Sequence, residues 1–147
     1  MVCRMMMQCA DTPSAVAVLH RFNTCSSMNY LLADSAGTLA DVETDGRTPC
    51  TIHPEVGVSW LAHANHYEHA DHLVLNSQKD AAGLQDSELR VSKAREIYTA
   101  TPPTSVESVF DALGTLPIYR EKTDARPPHS APSETVVSFV AYMTDGE

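Results

Sequence analysis

Residues 63–72 read His63-Ala64-Asn65-His66-Tyr67-Glu68-His69-Ala70-Asp71-His72, with four imidazoles at three-residue intervals and two carboxylates among them. Imidazole nitrogen and carboxylate oxygen both ligate transition metals, so the row invites a metal reading. Its spacing limits that reading. On a helix each three-residue step turns back by about 60°, so only neighbouring histidines share a face, and His63 and His72 point apart. On a strand His63 shares a face with His69, and His66 with His72. Neither regular geometry converges three ligands on one point without a bend, and neither HExxH nor a Cys/His finger spacing is present. The pattern assigns no metal ligand and no cofactor. Partly solvated histidines at a strand exit are the simpler expectation. The alternative is a non-catalytic module that binds zinc or nickel through the row.

The thiols Cys3, Cys9, Cys25 and Cys50 are irregularly spaced and include no CxxC pair. That suits reduced thiols in a cytoplasmic protein better than a disulfide scaffold. The N-terminus lacks an apolar signal core, and no run reaches the roughly 18 apolar residues of a membrane span. A net charge of -9, with ten scattered Lys and Arg residues, excludes a nucleic-acid surface. At 147 residues and 43% hydrophobic content, the chain has room for one domain with one core.

The elements that would position these groups follow from periodicity. Met1 to Cys9 can form a first helix carrying Met5 and Met6 towards a core. Thr12 as N-cap and Pro13 at the first helical position open a second, with Ala15, Val18, Leu19 and Phe22 on one face. From Ser26 the period falls to two, and Asp34-Ser35-Ala36-Gly37 supplies a turn. Leu39 to Glu43 then returns as a partner strand ended by Asp45-Gly46. A third strand is expected at 56–62, although Gly57 weakens it.

A long polar loop is expected between His69 and Asp86, followed by a helix capped by Asp86 or Ser87 and running through Tyr98. Pro102-Pro103 stops it. Thr104 and Glu107 then form a capping box for a helix with Val106, Val109, Phe110 and Leu113 as its apolar stripe. Residues 125–133 read as loop and 135–143 (TVVSFVAYM) as a strand. The class is α+β.

Two segments carry a family resemblance. Ser26-Ser27-Met28-Asn29-Tyr30-Leu31-Leu32-Ala33-Asp34, then Gly37, then Asp41-Val42-Glu43, is similar to a hairpin of the form S-x-N-Y-L-L-A-D-x-x-G leading to a D-V-E strand. Trp60-Leu61-Ala62-His63-Ala64-Asn65-His66-Tyr67 is similar to an H-T-N-H-aromatic strand exit. Ser87-Glu88-Leu89-Arg90, Pro117-Ile118-Tyr119-Arg120 and Thr135-Val136-Val137-Ser138 match S-x-x-R, P-I-x-R and T-x-x-S in order. The sequence resembles the acyl-coenzyme A:isopenicillin N (6-aminopenicillanic acid) acyltransferase family from about Arg4 to Met143.

The resemblance implies a four-layer αββα N-terminal-nucleophile hydrolase sandwich. Residues 1–147 would be a single partial domain, the C-terminal portion, truncated at both ends. It implies an autoprocessed acyltransferase or amide hydrolase working through an acyl-cysteine, with a small-molecule acyl donor or amide as substrate. The free α-amino group of that cysteine would be its general base, since its ordinary pKa near 8 suits proton transfer near neutrality. The family cysteine precedes everything matched here, and none of the four thiols takes its place. The fragment alone is therefore expected to be inactive, poorly soluble, and dependent on an N-terminal portion or complementary chain.

Asn65 matches the family's oxyanion-hole asparagine, the catalytic residue carried over. His63 and His66 become candidate substrate-pocket residues, and Ala64 replaces the Thr of T-N-H. Arg120 could clamp a substrate carboxylate with its planar fork, or pair with a neighbour such as Glu121.

Overall fold

A computed structural model describes residues 2–22, 24 and 26–119. The strand expected at 135–143, the loop expected at 125–133 and Arg120 lie outside the described residues. The elements are α1 (Val2–Met6), α2 (Thr12–Arg21), β1 (Ser27–Ala33), β2 (Leu39–Asp45), β3 (Cys50–Ile52), a 3-10 turn (Leu73–Gln78), α3 (Ala81–Ala100) and α4 (Val106–Leu113). The chain is thus mixed α/β. It divides into two compact units, one of residues 2–63 and 67–78, the other of residues 64–66 and 79–119 among those described.

In the first unit β1, β2 and β3 form an antiparallel sheet in that order, with Tyr30 opposite Val42, and Glu43 opposite both Asn29 and Cys50. The Asp34-to-Gly37 turn closes the first hairpin, with Gly37 at φ 80°, where a side chain would be strained. Asp34 also ties this turn to α2, because its carboxylate accepts the Thr12 and Thr38 amides at 2.9 Å each. The N-cap of α2 is Asp11 rather than Thr12. The Asp11 side chain accepts the Ser14 amide at 2.8 Å, while Thr12 is drawn inward to bond the Thr38 carbonyl.

Central β2 is buried from Ala40 to Thr44, since both its faces are covered. Alternation puts Ala40, Val42 and Thr44 on one face and Asp41 and Glu43 on the other. Helix α2 and the chain just after it cover the first: His20 of α2 bonds Thr51, the cross-strand neighbour of Val42, and Thr24, beyond the helix, bonds the Thr44 hydroxyl. Ala15 and Leu19 of α2 are buried there. The opposite face meets His63 and the irregular chain 67–72.

The expected strand at 56–62 does not form. Pro54, an exposed Val56 and Gly57 at φ 84° turn the chain, and the third strand is instead the short Cys50–Ile52. Met5 and Met6 of α1 are half-buried.

In the second unit α3 begins at Ala81, capped by Asp80 through the Gly83 amide at 2.7 Å. Asp86 and Ser87 lie inside the helix, six and seven residues beyond the cap, and do not cap it. Asp80 competes successfully because its carboxylate reaches an unpaired first-turn amide. Ser105, with Ser108, makes the capping box of α4, displacing Thr104 and Glu107 by one position.

Candidate functional site

The covered face of β2 carries a buried carboxylate–histidine cluster. Asp41 and Glu43 are two residues apart and so project together, and both are at most 2% exposed. Both Glu43 oxygens are met by N–H donors. Oε1 accepts His63 Nε2 at 2.8 Å and the Glu68 amide, and Oε2 accepts the His69 amide at 3.1 Å and lies 3.4 Å from His72 Nδ1. His63 Nε2 also lies 3.6 Å from Asp41 Oδ2. His63 and His72 therefore meet on one carboxylate, as neither helix nor strand would allow; the irregular backbone of 63–72 makes it possible.

Burial pushes the Glu43 carboxyl upward, but the His63 bond and the Glu68 and His69 amides outweigh it, leaving the pKa below the ordinary value. Asp41 behaves oppositely. Burial raises it from 3.8 to about 6; the His63 ring opposes this, and the Glu43 and Glu68 charges add to it. Its Oδ1 is buried without a hydrogen-bond partner among the described residues.

Beside this cluster Cys50 is buried on β3, with its sulfur 3.6 Å from His72 Nε2, which also donates to the Thr48 carbonyl at 3.0 Å. Tyr67 closes the segment by donating its hydroxyl to the Thr44 carbonyl.

In the second unit, Ser87 and Arg90 sit on one face of α3 at i, i+3. The Ser87 hydroxyl is fully buried. It accepts the Asn65 amide at 2.7 Å and bonds His66 Nδ1 at 2.8 Å. Arg90 Nη2 donates to Asn65 Oδ1 at 2.9 Å, and Arg90 Nε donates to Asp86 at 3.1 Å. Burial lowers the Arg90 pKa from its ordinary value. A guanidinium has only donors, so it fixes which end of the Asn65 amide is oxygen. The Nδ2 group is left as the end that can donate, on a side chain that is exposed.

The sequence candidates thus fall in different places. Asn65 and His66 belong to the Ser87–Arg90 cradle, whereas His63 is turned onto Glu43 and Asp41. Asp41, Glu43, Ser87 and Arg90 were not among the expected site residues. Their signals were present in the D-V-E and S-x-x-R motifs, which place pairs on one strand face and one helix face.

The family model for acyl-coenzyme A:6-aminopenicillanic acid acyltransferase matches residues 1–126. The chain belongs to this family. No curated protein matches it, and no solved structure does. Membership suggests acyltransferase-type function, and the matched span contains both the β2 carboxylates and the Asn65 cradle. Of the described thiols, Cys3 is exposed on α1, Cys9 follows that helix and donates to the Met5 carbonyl, and Cys50 is buried. Cys25 lies outside the described residues. No described helix is long and apolar enough to cross a membrane.

Proposed function

We propose that this chain carries the oxyanion-stabilising side of an N-terminal-nucleophile acyltransferase or amide hydrolase that works through an acyl-cysteine. The observation behind this reading is the cradle around Asn65. Arg90 holds the amide oxygen and Ser87 holds the backbone, so Nδ2–H is a preorganised neutral donor for a tetrahedral oxyanion. Such a donor contributes roughly 2.7–4 kcal/mol to transition-state stabilisation.

The attacking thiol would belong to a cysteine outside these 147 residues, with its own α-amino group taking the thiol proton. The thiolate would add to an amide or thioester carbonyl, the amine or thiol would leave, and water or an amine would then accept the acyl group. His66 and Arg120 would line the substrate pocket. In this reading residues 1–147 form one portion of the αββα sandwich, with β1–β3 in one of its two sheets, and a complementary portion completes it.

Intact-mass spectrometry after exposure to acyl-coenzyme A and to a simple amide tests the reading. The chain alone should show neither turnover nor acylation of Cys3, Cys9, Cys25 or Cys50. Co-expression with a family segment bearing the leading cysteine should restore turnover with the acyl group on that cysteine. Turnover by the chain alone, through one of its own thiols, would refute it.

A further inference from the structure

We propose that Cys50, His69 and Asp71 form a zinc-binding site in the first unit, separate from the Asn65 cradle. One donor atom from each residue lies within 4.8 Å of those of the other two. A tetrahedral zinc with bonds of 2.0–2.3 Å sets its ligands about 3.3–3.8 Å apart, so closure by roughly 1 Å completes the set. The parts that must move can do so: the Asp71 side chain is 79% exposed and His69 29% exposed, whereas Cys50 is fixed on β3. Both mobile ligands hang from a backbone that is held. The His69 amide is anchored on Glu43, and the His72 amide donates to the His69 carbonyl at 2.9 Å, forming the turn that carries Asp71.

The donor set is one sulfur, one imidazole nitrogen and one carboxylate oxygen, a mixture that suits borderline-soft zinc and leaves a fourth position for water. His69 Nδ1 accepts the Asp71 amide at a long 3.3 Å, so its lone pair is weakly held and available to a metal. His72 completes the surroundings. Its Nε2 lies 3.6 Å from the Cys50 sulfur, and the N–H there donates to the Thr48 carbonyl, which holds the ring beside the site.

On zinc binding the Cys50 thiol would release its proton to solvent as the Zn–S bond forms. The histidine row alone could not supply this site, because its soft ligand comes from β3.

Cobalt(II) and zinc(II) titration of the reduced full chain tests the site. One equivalent should bind, with a near-ultraviolet thiolate-to-cobalt charge-transfer band that zinc abolishes on displacement. Cys50→Ser should remove the band, and His69→Ala and Asp71→Asn should each weaken affinity about tenfold or more while keeping it. Far-ultraviolet circular dichroism checks that each variant folds. Three outcomes would overturn the proposal: no stoichiometric binding, bound cobalt without the band, or a band lost in Cys3→Ser or Cys9→Ser but retained in Cys50→Ser.

Discussion

Asp41 offers a test of the buried cluster in which the sign of the effect changes with pH. Its folded pKa of about 6 exceeds its ordinary 3.8, so the fold disfavours the ionised form. At 1.36 kcal/mol per unit, ionised Asp41 costs about 3 kcal/mol of stability. The sign follows from proton linkage. Below pH 3.8 the carboxyl is neutral in both states and the cost is absent. It grows as pH rises between those two values and is complete above about 6.

Asp41→Asn keeps the shape and removes the charge. It leaves one unpaired polar atom near the position of Oδ1, as in the parent. The variant should therefore match the parent near pH 4 and exceed it by up to about 3 kcal/mol near pH 8. Urea unfolding at low protein concentration, followed by the fluorescence of Trp60, the single tryptophan, measures this difference at each pH. A difference that stays constant with pH, or that favours the parent above pH 6, would refute the account of Asp41.

Glu43→Gln should have the opposite effect. Whichever end carries the new amide NH2 faces at least one backbone N–H donor, so stability should fall by about 3–5 kcal/mol, with faster hydrogen exchange across residues 67–72. The parent's Glu43 contribution should be full above the ordinary value of 4.5 and be lost as pH falls through the lower folded value, read as acid-side destabilisation. Leu19→Ala, in a fully buried side chain of α2, should cost about 2–5 kcal/mol in the same urea assay. In the reconstituted enzyme, Asn65→Ala should lower kcat about 10²–10³-fold with little change in KM. Arg90→Leu, which frees the Asn65 amide to rotate, should lower kcat by up to about 10²-fold; unchanged kcat in both would remove the oxyanion role.

Local chemistry was legible where a short stretch decides it. The β1–β2 hairpin was readable because alternation, an Asp-Ser-Ala-Gly turn and a stop at Asp45-Gly46 agree within twenty residues. The helix starts were less so. Asp11 and Ser105 displaced adjacent expected caps, and Asp80 displaced caps expected six or seven residues later, because several capping residues precede or begin each helix and which carboxylate or hydroxyl reaches an amide depends on where the chain arrives from. In the case of Thr12, that was decided by Asp34 and Thr38, more than twenty residues away.

The candidate site divides in the same way. The family, the Asn65 position within His-Ala-Asn-His, and the sharing of one strand face by Asp41 and Glu43 were all readable from residue order. Each depends only on residue type and on the fixed geometry of neighbouring positions. Tertiary packing alone brings His63 and His72 to Glu43, and Ser87 and Arg90 to Asn65. Those meetings depend on an irregular backbone bringing residues some twenty positions apart within hydrogen-bond reach, and no periodicity encodes that.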